Sequence, residues 1–137
     1  MDEKKEDEEQ RIQNAVELQQ ICRNILSKYN IPILIGGDFN NGKGTSLGDL
    51  PYRTMLQKGF VDIRLTADET TDALTEHLYP VLNEEGVFVP DGSVPHMTID
   101  YIFTYGAEIK AKKFDVISTP EAMASSDHCP LVAYFEF

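Results

Sequence analysis

From Arg11 onward the apolar positions recur at helical spacing. Ile12, Ala15, Val16, Cys22, Ile25 and Leu26 fall on one face, with Gln19 on its flank, while Glu17 and Arg23 point elsewhere. This pattern predicts an amphipathic helix of about five turns covering something apolar. It should end near Tyr29-Asn30, because Pro32 forbids its continuation. Ile31 to Gly37 is then an unbroken apolar run closing on two glycines, the pattern of a short strand buried on both faces. Asn40 to Ser46 is turn chemistry, so Asp38 to Gly48 reads as a loop at the carboxyl end of that strand. Asp49 is placed to cap a second helix, with Pro51 in its first turn, Tyr52, Met55 and Leu56 on its apolar face and Gly59 as its stop. Phe60 to Ile63 is a short extended segment. Thr66 to Pro95 reads as a long loop with one plausible strand at Val87-Phe88-Val89, and loops of that length are usually functional or mobile. Alternation then predicts three strands, Thr98–Tyr105, Glu108–Ser118 and Pro130–Phe137, with Gly106 turning a hairpin between the first two.

The chain has 137 residues, one ordinary domain or a piece of a larger one, and at 42% hydrophobic it can bury a core. Its longest uncharged apolar stretch falls far short of the roughly 18 residues a membrane helix needs, so no membrane span is expected. Twelve basic against twenty-three acidic residues leave a net charge of −11, which repels polyphosphate backbones. Phosphate chemistry survives that argument, because carboxylates holding a divalent cation invert the local sign. Residues 1–10 carry six acids and two bases and read as a charged arm or a frayed helix start. Cys22 and Cys129 lack metal-type spacing and read as two reduced, partly buried thiols. No signal peptide is evident at a start this charged.

Three constellations put acids where structure alone gives them little reason to be. Gly36-Gly37-Asp38-Phe39-Asn40 closes the first strand; Asp38 can take a proton or hold a metal-bound water, and Asn40 can donate to a phosphate oxygen. An Asx turn that ends the strand is the plainer alternative. Thr98-Ile99-Asp100-Tyr101-Ile102-Phe103 buries an acid in an apolar strand unless that carboxylate faces water, so Asp100 wants a donor. Ser125-Ser126-Asp127-His128-Cys129-Pro130 precedes the last strand. If the strands are neighbours, His128 and Asp100 supply each other's missing partner, the orienting logic of a hydrolytic triad. Asp127 and Asp38 would then surround one hydrated cation, and oxygen-only ligation favours Mg²⁺ or Mn²⁺ over zinc. Ser46, Thr98 and Tyr101 are further candidates for a phosphate pocket, while His77 and His96 read as surface histidines.

Gly37-Asp38-Phe39-Asn40, Ile99-Asp100-Tyr101-Ile102-Phe103 and Ser126-Asp127-His128-Cys129-Pro130, in this order, resemble the three C-terminal motifs of the endonuclease/exonuclease/phosphatase superfamily, the DNase I-like fold. The Arg11–Leu26 helix resembles the one preceding the first of these motifs. The resemblance implies an α/β chain: half of a four-layered sandwich, with a mixed, mostly antiparallel sheet and helices on one face. It implies that Asp38 positions or deprotonates the attacking water and that Asn40 binds the scissile phosphate. Asp127 would be a metal-site carboxylate, and His128, paired with Asp100, would stabilise charge on the phosphate. The implied reaction is Mg²⁺-dependent hydrolysis of a phosphodiester or phosphomonoester.

A complete member also has a first half, which supplies an Asn and the principal metal-binding Glu, and no such half precedes residue 11. Residues 11–137 are therefore expected to be the C-terminal half of such a domain, from a phosphoesterase parent, with the lone chain a poor catalyst. Its exposed inner sheet face should be covered by a second copy in a homodimer. A net charge of −11, with Lys110, Lys112 and Lys113 as the only basic cluster, favours a small phosphoester or lipid head group over nucleic acid as substrate. The compartment stays open, since a signal would lie in the missing half. A non-catalytic interaction module built on the same fold is the alternative.

Overall fold

The computed structural model describes residues 3–42, 49–71, 73–77, 81–89, 97–107 and 109–136. Helix α1 (Glu3–Lys28) absorbs the acidic run, so the charges at residues 3–10 are helical rather than an arm. Glu3 and Glu6 in its first turn and Lys28 in its last complement the helix dipole. Its core-facing stripe, Ala15, Leu18 and Cys22, packs onto strand β1 (Ile33–Asp38) and helix α2 (Leu50–Gln57). At the start of α2, Asp49 makes no side-chain cap and pairs instead with Arg53 at 3.0 Å.

Strand β2 (Val61–Asp62) leads into a short helix, α3 (Ile63–Thr66), where the Asp62 carboxylate accepts the Arg64 N–H at 3.1 Å. The expected long loop contains strands β3 (Glu69–Thr70), β4 (Val81–Leu82) and β5 (Phe88–Val89), the last two pairing with each other. Strands β6 (Asp100–Tyr105) and β7 (Ala111–Val116), helix α4 (Pro120–Ser125) and strand β8 (Leu131–Phe135) complete the described chain. Alternation alone did not suggest α4, which Thr119 caps through its hydroxyl.

The strands form two three-stranded sheets, ordered β1-β6-β2 and β3-β7-β8, beside the β4-β5 pair. The hairpin expected at Gly106 does not form. Both edges of β6 are taken, by β1 and β2, so β7 pairs with β3 and β8 instead. Gly106 has φ 91°, and a Cβ there would strike the Leu26 side chain, so this glycine lets the chain leave β6 close against α1.

One core lies between the helices and the first sheet, around Phe60, Tyr101 and Phe103; the other gathers Ile63, Phe114, Val116 and Met123. Cys22 sits in the first and Cys129 in the second, both free and buried. The apolar run of β1, expected to be buried on both faces, is covered on one. Ile33 and Ile35 meet the helices, while Leu34 stays 49% exposed on the opposite face. Among the described residues, no helix is long and apolar enough to cross a membrane.

Candidate functional site

The antiparallel register of β1 and β6 sets Asp38 directly opposite Asp100. Paired residues share a sheet face, and alternation puts both acids on the side of Leu34, away from Ile35, Tyr101 and Phe103, which face the helices. His128, between α4 and β8, reaches the same place. Its Nδ1 lies 2.9 and 3.1 Å from the two Asp100 carboxylate oxygens, and its Nε2 lies 3.9 Å from Asp38 Oδ2. Because a carboxylate accepts, this geometry puts a proton on Nδ1 and turns Nε2 toward Asp38. Burial pulls the imidazole pKa down, but the Asp100 hydrogen bond and the charges of Asp100, Asp38 and Asp127 outweigh it, and the net shift is upward.

Asp38, Asp100 and His128 form a group whose ligating atoms lie within 4.8 Å of one another. Asn40 adjoins it: with φ 48°, it donates its backbone N–H to Asp38 Oδ1 at 2.8 Å. The Asx turn and the reactive arrangement are thus one structure, since the turn fixes one carboxylate oxygen and leaves the other facing His128. Asp127 stands beside this group rather than in it. Its carbonyl accepts the His77 N–H at 2.8 Å, and its charge reaches the His128 ring.

What holds the start of β6 to the histidine loop is the segment 73–77, which carried no periodic signal. The buried Thr75 Oγ1 accepts the backbone N–H groups of Ile99 and Asp100 at 3.0 and 3.2 Å. The Thr75 carbonyl accepts the Cys129 N–H at 2.8 Å, and Glu76 forms isolated bridges with both Met97 and His128. This short stretch therefore stitches the entry to β6 onto the His128 loop. His77, expected at the surface, is buried at 4% exposure because its backbone joins that seam.

The Tyr101 hydroxyl lies 2.9 Å from the carbonyls of both Asn41 and Thr98, tying the loop after Asp38 to the approach of β6, while its ring stacks on Tyr52. A Cβ at Gly42 would collide with the Thr98 carbonyl and the Tyr101 hydroxyl, so the closeness of this seam demands glycine. Ser46 and His96 lie outside the described residues. The three lysines are each matched by acids: Lys110 and Lys112 by Asp68, Lys112 also by Glu136, and Lys113 by Asp115.

Two small sheets backed by helices, with a histidine clasped by an acid at a strand end opposite a second acid, define a layered α/β protein of the DNase I-like type. Its fold is that of endonuclease/exonuclease/phosphatase proteins. It superposes on the mannosyl-6-phosphatase Bt3783 of Bacteroides thetaiotaomicron with a TM-score of 0.67 at 20% identity, covering 93% of this chain and 46% of that one. For an endonuclease/exonuclease/phosphatase from Bacteroides vulgatus the TM-score is 0.65 at 24% identity, over 94% of this chain and 45% of that one. A family protein from Leptotrichia buccalis gives 0.56 at 23% identity, over 87% and 42%. The chain thus spans somewhat less than half the length of these proteins, and at such identities the likeness is one of fold. No protein-family model and no curated protein matches the sequence.

Proposed function

We propose that this chain carries the acid–histidine side of a metal-dependent phosphoric ester hydrolase. The observation that carries this reading is the His128–Asp100 clasp at 2.9 Å with Asp38 facing the free ring nitrogen at 3.9 Å. In its protonated form, His128 donates from Nε2 to a phosphate oxygen and stabilises the charge that develops there, while Asp100 fixes ring and tautomer. Asp38, with one oxygen tied by the Asn40 N–H, uses the other to orient or deprotonate a water. The Asn40 side chain, exposed at the strand end, donates to the scissile phosphate.

The donor set fits a hydrated hard cation. Asp100 already accepts the His128 Nδ1–H, so Asp38 is the carboxylate assigned to the cation, with the charge of Asp127 close by. Mg²⁺ or Mn²⁺ tolerates so few protein ligands by keeping its own water, whereas a structural zinc site wants four close donors. A bound cation supplies charge neutralisation at the phosphate. The chain spans under half of the similar structures, and with so few protein ligands of its own the lone chain is expected to turn over slowly. The matched lysines and the −11 net charge support a small phosphoester or a lipid head group over nucleic acid. The fold likeness to a mannosyl-6-phosphatase agrees with that preference.

Mn²⁺ titration followed by NMR tests the reading. Saturable paramagnetic broadening should centre on Asp38 and His128 and be lost in Asp38→Asn. Any phosphoester turnover should need the metal and disappear in His128→Ala. A chain that takes up no Mn²⁺ at these residues at millimolar concentration would instead be a non-catalytic interaction module.

A further inference from the structure

The helix-facing side of β1 and β6 holds a second feature. A cleft of about 340 Å³ opens between α1, α2 and the strand ends. Its floor is apolar, formed by Leu18, Phe39, Met55 and Phe103, with the Tyr52 ring stacked on Tyr101 as a wall. Asp38 and Asn40 sit on its rim, so it shares an edge with the reaction site on the other face of the sheet.

Arg11 also lines this cleft. It continues the core-facing stripe of α1, lying four and seven residues before Ala15 and Leu18, one turn beyond the point where the stripe is apolar. At that position a hydrophobic residue would extend the core. The guanidinium there has its Nη1 sealed from solvent, with no hydrogen-bond partner among the described residues. A buried cationic donor without an acceptor is costly, and in a protein of net charge −11 acceptors are abundant. Asn14, on the same wall, has its carboxamide oxygen engaged by Gln10 at 3.0 Å, so what it offers a ligand is its NH₂ donor.

We propose that this cleft is a recognition pocket for a compact organic anion. Its Arg11 and Asn14 donors would receive a phosphate or carboxylate group, and its aromatic floor would receive the apolar body. The volume lies within the range of small-molecule sites, and an apolar chamber with few polar donors is how such sites fix orientation. Arg11 matches a planar, two-oxygen acceptor with its paired N–H groups after rotation about its own side-chain bonds. The proposal deepens the phosphoesterase reading and rests on it for its catalytic meaning: the shared rim makes the pocket the place where the non-reacting part of the substrate is read.

The test is an amide NMR titration of the 137-residue chain in chelator, with phenyl phosphate, benzoate and inorganic phosphate as separate probes. Phenyl phosphate and benzoate should shift Ala15, Leu18, Tyr52 and Met55, and both should bind more tightly than inorganic phosphate. Arg11→Gln should weaken them about tenfold or more, the loss of one charge-assisted contact, with Arg11→Lys retaining part of the affinity. His128→Ala should leave binding unchanged, so failure of the metal-site reading would not disturb this result. Equal affinity in Arg11→Gln, inorganic phosphate binding as well as phenyl phosphate, or shifts confined to Asp100 and His128 would each overturn the pocket. Should Arg11→Gln fail to fold by circular dichroism, phenyl phosphate binding undiminished in Arg11→Lys, or no binding of benzoate to the parent chain, would do the same.

Discussion

The Thr75 hydroxyl oxygen accepts two backbone N–H groups, from Ile99 and Asp100, at a position with no solvent exposure. Thr75→Val keeps the shape and removes the acceptor, orphaning two donors at a cost of about 1–3 kcal/mol each. The urea midpoint should fall accordingly, and the His128 ring should titrate closer to the ordinary 6.5 as Asp100 loosens, while Thr75→Ser restores both readouts. Asp62 gives a pH-dependent case. Burial raises its carboxyl pKa, and the hydrogen bonds from Tyr52 and the Arg64 N–H, with the Arg64 charge, only partly offset this. A folded pKa above the unfolded 3.8 means that this group's contribution to stability is full below 3.8 and declines as pH rises through the folded value. Asp62→Asn keeps an acceptor oxygen and cannot ionise, so its stability relative to the parent should rise in thermal melts as pH climbs from 3.8 through the folded value. A variant that loses ground over that window would contradict the assignment.

At the scale of elements, Arg64 ties α3 to the stretch after β3. Its Nη2 donates to the carbonyls of Thr71 and Ala73, and its guanidinium lies 5.6 Å from the Phe114 ring centroid. It thereby anchors the stretch that leads into Thr75. Arg64→Met preserves bulk without donors, and amide exchange at Thr75, Glu76 and His77 should accelerate about tenfold or more, ahead of exchange in β6. Uniform acceleration through both sheets would mean that the segment opens only with the whole fold. The same element explains the limits of reading the chain. The α1 stripe and the alternation of β6 and β8 are local patterns and showed in the sequence. Segment 73–77 has no period, because its hydrogen bonds run to Met97, Asp100 and Cys129, far along the chain.

For the whole molecule, the half-exposed Leu34 shares a face with Asp38 and Asp100. A second copy covering this face would bury that surface and bring two acid–histidine sites near one another. Sedimentation should show a dimer at tens of micromolar that Leu34→Lys converts to a monomer of unchanged circular dichroism. A parent chain that sediments as a monomer would remove the homodimer.

The sequence by itself determined what depends on near neighbours: the apolar stripe of α1, the strand ending at Asp38, and the motif residues Asp38, Asn40, Asp100, Asp127 and His128, together with the class they resemble. Periodicity and turn chemistry are properties of a few adjacent residues, so they need no fold to be visible. The tertiary structure decided which of those residues meet. It set Asp100 rather than Asp127 within the group around His128, gave both edges of β6 to β1 and β2, and placed Thr75 and Arg11 where only their surroundings give them meaning. Those outcomes follow from pairing and burial between distant segments, which no window along the chain contains.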